Sequence, residues 1–214
     1  MNHIDELLTT TRSARKTLDV TAPVDLDVIA ECLRIGVQAP NGTNQQSWKW
    51  LLIDDPDIRG QLGELYRKAY LAMTGGNYVG DLFGDSDVGR VMTSTEWLVE
   101  HLAEVPAIVI PCFEPYLPRQ DGDEQFHDAT LYGSIFPAVW NFQLALRTRG
   151  YGSCITTLHL NRAQQVGELL GIPPTFVQGC LLPVAKLRVA ATTAASRRPL
   201  SEVTARNTWN GPSL

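Results

Sequence analysis

Two clusters of arginine are the side chains in this sequence best suited to bind a phosphate group. The first is Arg12-Ser13-Ala14-Arg15, and the second is Arg197-Arg198. A guanidinium group donates several charge-assisted hydrogen bonds in a fixed fork, and a neighbouring hydroxyl adds another, which together suit a phosphate monoester. Exposed arginines also often face water without a ligand. The composition of the clusters alone leaves both interpretations open.

A segment dense in side-chain amides, Ala39 to Trp48, is the second candidate for a binding site. It contains Asn41, Asn44, Gln45 and Gln46. A side-chain amide both donates and accepts hydrogen bonds, as recognition of the pyrimidine edge of a heterocycle requires. A simple connecting turn has the same composition, because Asn and Gly are common turn residues. The spacing of these residues, taken alone, favours the turn.

Several motifs of common active sites are missing from the sequence. No Gly-x-Gly-x-x-Gly follows a predicted strand, and there is no Walker A, His-Glu-x-x-His or Gly-x-Ser-x-Gly sequence. No Cys-x-x-Cys occurs and the four histidines are isolated from one another, so we predict no metal site. The formal net charge of −5 argues against a general nucleic-acid-binding protein.

The length and composition of the chain indicate one globular domain. Its 214 residues are 44% apolar and 19% charged, and we predict a single domain spanning residues 1–214. The first residues lack the basic cluster and apolar core of a secretory signal. The most apolar stretch, Val105 to Phe113, has nine residues, whereas a membrane helix needs about twenty. We therefore expect a cytoplasmic protein that binds no membrane, with its four scattered cysteines reduced and mostly buried.

Hydrophobic periodicity divides the chain into several helices and fewer strands. It predicts helices over residues 3–10, 25–38, 87–104 and 128–149, one that opens at Asp55-Pro56, and one from Asn161 to Gly171. Asp25, Asp55 and Asn161 are the predicted N-caps. Strands are predicted over residues 48–53, 105–113 and 176–187, loops over 74–87 and 114–127, and an aperiodic tail over 190–214. This mixture favours an α+β fold.

Five short segments form an ordered series along the chain. They are Arg12 to Arg15, Ala39 to Trp48, Gly150 to Ser153, Leu169 to Pro173, and Arg197 to Leu200. The series resembles the FMN-dependent nitroreductase family, which has Arg-Ser-x-Arg, Ala-Pro-Ser-x-x-Asn-x-Gln-Pro-Trp, Gly-x-Gly-Ser, Leu-Leu-Gly-Ile-Pro and Arg-x-Pro-Leu in this order. Ser47 stands where the family has proline, and Thr157-Leu158 replaces its commoner Gly-Gly or Glu-Gly. The resemblance spans nearly the whole chain.

The resemblance implies a three-layer α+β fold, with helices on both sides of a mostly antiparallel sheet, in an intertwined homodimer. Two FMN molecules would lie at the subunit interface, and the tail over 190–214 would extend over the partner. The phosphate and ribityl chain of FMN would be held by Arg12, Ser13, Arg15 and Arg197. The flavin ring would be contacted by Pro40, Asn41, Gly42 and Asn44, typically from the partner, and by the backbone of Thr156, Thr157 and Leu158.

The resemblance also implies a flavin oxidoreductase. NADH or NADPH would donate hydride, and a nitroaromatic, quinone or related small aromatic acceptor would receive the electrons in a ping-pong mechanism. Solvent can supply the protons, so we predict no catalytic side chain. Two alternatives stay open: a protein that stores or sequesters FMN without turnover, and a specialised flavin dehydrogenase or dehalogenase of the same fold. The natural acceptor and the choice between NADH and NADPH also stay open.

Overall fold

The computed structural model describes residues 2–117, 121–189 and 193–214. Residues 118–120 of the predicted second loop and 190–192 of the predicted tail lie outside the described residues. The chain divides into two compact units. The larger unit is Ser13–Ala190, and the smaller unit combines the two ends of the chain, Met1–Arg12 and Ala191–Leu214.

A six-stranded sheet lies in the larger unit, and every strand pair in it is antiparallel. Its strands are β1 (Leu18–Asp19), β2 (Trp48–Ile53), β3 (Ala107–Phe113), β4 (Tyr151–Ser153), β5 (Val177–Gln178) and β6 (Leu182–Leu187). The main path runs β1-β6-β3-β2, while β4 pairs with β6 and β5 pairs with β3. In the longest pairing, Trp48 lies opposite Phe113 and Ile53 opposite Ile108.

Five helices of the larger unit pack against this sheet or beside it. They are α2 (Leu26–Gly36), α3 (Pro56–Met73), α4 (Asp87–His101), α5 (Glu124–Arg147) and α6 (Ala163–Leu170). The predicted N-caps of α2 and α3 are confirmed, because the Asp25 carboxylate accepts from the Asp27 amide and the Asp55 carboxylate accepts from the amides of Asp57 and Ile58. Pro56 at the first helical position fits this start, since its ring fixes the φ angle that a helix requires.

Two hydrophobic cores lie on opposite faces of the sheet. One face of β3, which carries Ile108 and Ile110, packs with side chains of α3 and α4 such as Tyr66 and Leu98. The other face, which carries Val109, packs with side chains of α2 and α5. This alternation follows from the period of two along a strand. The predicted three-layer α+β fold is therefore confirmed.

The smaller unit contains the remaining described helices, α1 (His3–Thr10) and α7 (Leu200–Val203). The side chain of Asn2 caps α1 by accepting a hydrogen bond from the Asp5 amide at 2.8 Å. The tail folds back locally, because the Arg206 amide donates to the Pro212 carbonyl at 2.8 Å. Trp209 is 94% exposed.

Three predicted boundaries are wrong. Helix α5 begins at Glu124 rather than residue 128, with Asp123 as its N-cap, so it takes up part of the predicted second loop. Asn161 does not cap α6, because it lies inside a 3-10 turn over Leu158–Arg162 that runs directly into α6 at Ala163. The strand predicted over 176–187 is split into β5 and β6, because the Gly179 amide turns to donate to the Pro111 carbonyl at 2.8 Å.

The prediction for the cysteines is confirmed, since all four are free and buried. In the described part of the chain, no helix combines the length and apolar character needed to span a bilayer. Within the same residues, His, Cys, Asp and Glu side chains form no group of three that could hold a metal ion.

Candidate functional site

The segment Ser13–Arg15 is fixed against the end of β4. The Ala14 amide donates to the Ser153 carbonyl at 2.9 Å, and a Cβ atom at Gly152 would come within 2.8 Å of the Ala14 Cβ. Only glycine at position 152 therefore permits this approach. Ser13 is exposed and Arg15 is half-buried, so both side chains remain open to a ligand.

The guanidinium of Arg15 lies beside the buried thiol of Cys154. Burial raises the pKa of Cys154 to about 11, and the charge and hydrogen bond of Arg15 offset only part of that rise. The thiol therefore stays protonated at neutral pH and does not neutralise the charge of Arg15. The neighbouring Ser153 hydroxyl is buried and has no hydrogen-bond partner among the described residues. A positive charge that the adjacent thiol does not neutralise suits an anionic ligand.

The two other predicted phosphate ligands, Arg12 and Arg197, lie in the smaller unit. Arg12 is exposed and donates from Nη1 to the Thr193 carbonyl at 3.3 Å. Arg197 is also exposed and donates from Nη1 to the carbonyl of its neighbour Ser196 at 3.0 Å. Each of these bonds uses one of the five donors of a guanidinium, so both groups keep capacity for a phosphate.

The predicted segment Thr156–Leu158 is held by backbone and side-chain bonds. Thr156 and Leu181 exchange two backbone hydrogen bonds of 3.0 and 2.8 Å. The Thr156 hydroxyl shares a 2.7 Å hydrogen bond with the hydroxyl of Tyr66, a residue of α3 that is only 1% exposed. After Thr157 the backbone enters the 3-10 turn, where the Leu160 amide donates to the Thr157 carbonyl at 2.9 Å. The segment is thus positioned before any ligand arrives.

A cavity of about 330 Å³ opens beside this segment. Its size lies within the range of small-molecule sites, roughly 300–1,000 Å³. The segment forms one wall together with Ile155 and Asn161, and α3 and α4 form the others through Tyr66, Tyr70, Met73, Met92 and Thr95. The sequence interpretation missed the tyrosines, although Tyr66 and Tyr70 are four residues apart and therefore face the same side of a helix.

Near this cavity, Glu96 of α4 accepts hydrogen bonds from α3 and from the loop that follows it. Its Oε1 accepts from the Tyr70 hydroxyl at 2.5 Å, from the Val79 amide at 2.5 Å and from the Gly80 amide at 2.7 Å. Burial alone would raise the pKa of Glu96, but these three hydrogen bonds lower it below its usual value. A carboxylate on α4 therefore holds part of the predicted 74–87 loop in place. The sequence could not predict this role, because Glu96 looks like any other acidic residue on a helix.

Behind the cavity wall, His159 is almost completely buried, with 1% of its surface exposed. Neither ring nitrogen has a hydrogen-bond partner among the described residues. Burial lowers the pKa of His159 to about 4, because the interior disfavours the charged imidazolium. His159 is therefore a neutral core residue at physiological pH.

The amide-rich turn, Pro40 to Ser47, has a strained backbone. Thr43, Asn44 and Gln46 have φ angles of 50°, 54° and 51°, a region that residues other than glycine rarely occupy. The Asn41 side chain stabilises this turn by accepting from the Gln46 amide at 3.0 Å. Strained backbone that persists in a folded protein is concentrated at ligand-binding sites.

Gly42 and Asn44 have different surroundings within this turn. The Gly42 amide donates to the Ser134 hydroxyl of α5 at 3.0 Å, and a Cβ atom at Gly42 would clash with the Tyr116 hydroxyl. Asn44 is exposed, and its side chain makes no hydrogen bond within the described residues. Pro40 is exposed as well. The residue that caps the turn is thus Asn41, while the amide of Asn44 is available to a ligand.

The predicted residues of the larger unit fall on two faces of the sheet. Cys154, which lies beside the Arg15 guanidinium, belongs to the core beneath α3 and α4, the helices that wall the cavity. The turn instead packs on α5, which covers the opposite face. One copy of the chain therefore brings Arg15 and Thr156–Leu158 to the same face, and it presents Pro40, Asn41, Gly42 and Asn44 on the other.

Iodotyrosine deiodinases are among the known proteins to which this chain is similar. An iodotyrosine deiodinase from Nematostella vectensis is 25% identical over 187 residues, which cover 85% of this chain and 67% of the relative. The chain spans about three fifths to two thirds of the length of the curated relatives it matches. Among solved structures, oxidized iodotyrosine deiodinase bound to FMN and 3-iodo-L-tyrosine superposes with a TM-score of 0.73. It is 19% identical, and the match covers 96% of this chain and all of that one.

The NADPH:FMN oxidoreductase from Vibrio harveyi, solved with NAD⁺, superposes on this chain with a TM-score of 0.71 and is 17% identical to it. The match covers 97% of this chain and 78% of the oxidoreductase. At such identities these structures establish the fold alone. The sequence itself matches the profile of the nitroreductase family over residues 8–186, which is most of the chain. The protein therefore belongs to the nitroreductase family of FMN-dependent flavoproteins.

Proposed function

We propose that this protein is an FMN-dependent oxidoreductase that takes hydride from NADH or NADPH and reduces a small aromatic acceptor. The observation that carries the proposal is the preformed wall at Thr156–Leu158, next to a cavity of about 330 Å³ and on the same face as Arg15. A flavin whose reactive edge lies at that wall leaves the cavity for the two substrates in turn. Their exchange at one place gives ping-pong kinetics.

The chain offers donors suited to each part of FMN. Arg15 and Ser13 would hold the phosphate and ribityl chain, the role that the family resemblance also gives to Arg12 and Arg197. The charge of Arg15, which the protonated Cys154 thiol does not neutralise, supports this assignment. Backbone groups of Thr156, Thr157 and Leu158 would meet the ring. When bound, FMN supplies the acceptance and donation of hydride, and the protein supplies position and electrostatics.

A homodimer is part of the proposal. The turn at Pro40, Asn41, Gly42 and Asn44 lies on the α5 face, whereas the cavity lies on the face of α3 and α4. Both sets of residues can contact one flavin if the turn comes from a second copy. A tail that extends over the partner would also cover Trp209, which is 94% exposed in one copy. We further propose that the enzyme works in the cytoplasm.

The described side chains that line the cavity do not supply protons near neutral pH. Burial raises the pKa of Tyr66 and of Tyr70 to about 12, so both phenols stay protonated. Tyr66 positions Thr156, and Met73, Met92 and Leu158 contribute apolar surface to the cavity. Protons therefore come from solvent, and no side chain is assigned as a catalytic acid or base.

An anaerobic titration tests the proposal. Protein loaded with FMN should lose its yellow absorbance on addition of NADH or NADPH, regain it in air, and do so faster than free FMN at the same concentration. Turnover with a quinone or nitroaromatic should follow. If neither nucleotide bleaches the flavin and a chemical reductant does, the protein binds FMN without this activity, which is the sequestering alternative.

A reductive dehalogenase is the second candidate. It is favoured by the curated relatives, which are named iodotyrosine deiodinases at about 25% identity. The test is release of iodide from 3-iodo-L-tyrosine by chemically reduced, FMN-loaded protein. Iodide release without oxidation of NADH or NADPH would favour this candidate over the first.

A further inference from the structure

Two helices, α3 and α4, contribute several of the side chains that line the cavity. Tyr70 and Met73 lie in the last turn of α3, and Met92 and Thr95 lie on α4. Residues 74–86, called here the connecting segment, join the end of α3 to the start of α4. The way in which this segment is held therefore affects how the lining side chains are arranged relative to one another.

One carboxylate oxygen on α4 links the connecting segment to the cavity lining. Oε1 of Glu96 accepts from the hydroxyl of Tyr70, which lines the cavity, and from the backbone amides of Val79 and Gly80 in the segment. Burial opposes the negative charge of Glu96, but these three donors hold its pKa below the usual value. The carboxylate therefore stays ionised at neutral pH, and each bond is charge-assisted.

The backbone at Gly80 lies close to the second carboxylate oxygen. A Cβ atom at this position would come within 2.4 Å of Oε2 of Glu96 and within 3.0 Å of the hydroxyl oxygen of Thr93. A carbon atom cannot approach an oxygen so closely, so a side chain at position 80 would displace the carboxylate or the segment. The absence of a side chain at Gly80 thus lets the segment come near enough for its amides to bond to Glu96.

Glu100, one helical turn further along α4, makes a different attachment to the same segment. It accepts from the hydroxyl of Tyr78, and both side chains are exposed. A bond between exposed groups competes with water and contributes little to stability. Tyr78 is not among the described residues that line the cavity. Of these two carboxylates, Glu96 is therefore the one that links the segment to the lining.

We infer that Glu96 is a positioning residue for the electron acceptor. It holds Tyr70 and residues 79–80 on one oxygen, so the α3 and α4 sides of the cavity are arranged before a ring arrives. A preformed lining avoids the entropy cost of ordering side chains and a loop during binding. The inference rests on the proposed function, because it takes the cavity as the place where the acceptor binds. Glu96 acts through Tyr70 and the segment and needs no contact with the acceptor.

Binding of menadione, a neutral quinone, to oxidised, FMN-loaded protein tests the inference. Binding is read from the change in flavin absorbance, without a hydride donor. Glu96→Ala should weaken menadione binding about tenfold, while the affinity for FMN changes by less than about twofold. Glu96→Gln should recover most of the menadione affinity, because its carbonyl oxygen still accepts hydrogen bonds. A role of Glu96 in folding alone would lower the affinities for FMN and menadione together, and that result would contradict the inference.

Matched variants separate the link at Glu96 from other effects of substitution. Gly80→Ala should weaken menadione binding as Glu96→Ala does, because its methyl group displaces the carboxylate. Gly60→Ala on α3 is the control for an added methyl group, since a Cβ atom there meets nothing within 4 Å. Glu100→Ala is the control for a lost charge on α4. Both control variants should bind menadione as the wild-type protein does.

Hydrogen exchange of the apo-protein gives a measurement that involves no ligand. The amides of Val79 and Gly80 should exchange faster in Glu96→Ala, because they lose their acceptor. Unaltered exchange would show that other contacts hold the segment and would overturn the inference. Wild-type menadione affinity in both Glu96→Ala and Gly80→Ala would overturn it as well and leave the proposed function standing. If menadione does not alter the flavin absorbance of the wild-type protein, the proposed function fails and the inference fails with it.

Discussion

The cavity wall at Thr156–Leu158 and the amide-rich turn at Pro40–Ser47 differ in how completely one chain stabilises them. The wall is tied to β6 through the Thr156–Leu181 bridge and to α3 through Tyr66. The turn contains three residues other than glycine at positive φ, and its Asn44 side chain is exposed. The resemblance to the family assigns both segments to the flavin, but the described hydrogen bonds hold the wall more completely than the turn.

This difference suggests a division of roles. A wall that is rigid before binding loses little entropy when a ligand arrives, so it suits the precise placement of a reacting ring. A strained turn with an available amide gains contacts when a ligand or a second copy covers it. The following predictions test whether the wall and the turn contribute to FMN binding in these separate ways.

Substitution of Arg15 should have the largest effect on the cofactor. Arg15→Ala removes a charged donor that lies beside the wall, and hydrogen bonds to charged groups contribute about 1.5–3 kcal/mol. The affinity for FMN should therefore fall roughly tenfold to a hundredfold, measured by quenching of FMN fluorescence on titration with apo-protein. Arg197→Ala should behave similarly, and Arg198→Ala is the matched control. Wild-type affinity in all three variants would refute the phosphate site.

Replacement of His159, which lies behind the wall, should alter how the free energy of unfolding depends on pH. Because burial lowers its pKa from 6.5 to about 4, the unfolded chain binds the proton first as pH falls. As the pH falls from 7 to 5, this group therefore lowers the free energy of unfolding by about 2 kcal/mol. His159→Leu should remove that part of the pH dependence of the free energy of unfolding, measured by urea denaturation.

His101 provides the control for this experiment. It is only partly buried, and its Nδ1 lies 2.8 Å from the Trp97 carbonyl oxygen. His101→Leu removes a histidine that the interior does not enclose, and its pH dependence is compared directly with that of His159→Leu. An unchanged slope in His159→Leu would mean that His159 is protonated or solvated in the folded protein.

In the turn, Asn41 should contribute to stability before any ligand binds. Asn41→Ala removes the acceptor of the Gln46 amide and leaves three strained residues without their cap. The free energy of unfolding of the apo-protein should fall by about 1 kcal/mol. Thermal denaturation of the apo-protein measures this change. Unaltered stability would show that the turn does not depend on its cap.

Asn44→Ala should give the opposite pattern, and the smallest effect of the series. Its side chain makes no hydrogen bond in the described part of the chain, so the stability of the apo-protein should stay the same. A lost hydrogen bond to the flavin would weaken FMN binding about fivefold. If instead the apo-protein is destabilised and FMN affinity is unaltered, Asn44 is a turn residue only.

The sequence predicts the parts of this fold that depend on neighbouring residues. Asp25 and the Asp55-Pro56 pair mark helix starts because capping is local chemistry. The split between β5 and β6 was not predictable, because it depends on a bond from Gly179 to Pro111, 68 residues away in the chain. The short strands β1 and β4 have too few residues for a periodic signal.

The candidate site was predictable to a similar extent. Motif resemblance identified the wall and the turn, but it could not separate Asn41 from Asn44, because the two asparagines differ in backbone conformation and not in chemistry. It also could not reveal Glu96, whose three donors come from Tyr70 and from a loop. Tyr66 carried a signal in its spacing from Tyr70, although that spacing is as common in ordinary helix cores.

Strand β3 is buried along all seven of its residues and pairs with β2 on one side and with β5 and β6 on the other. Its amide hydrogens can therefore exchange with deuterium only when the larger unit opens as a whole, whereas exposed loop amides exchange through local fluctuations. The exchange rate of β3 consequently measures the global free energy of unfolding of that unit. FMN that binds only the folded state should slow β3 exchange by a factor that depends on its concentration and dissociation constant alone.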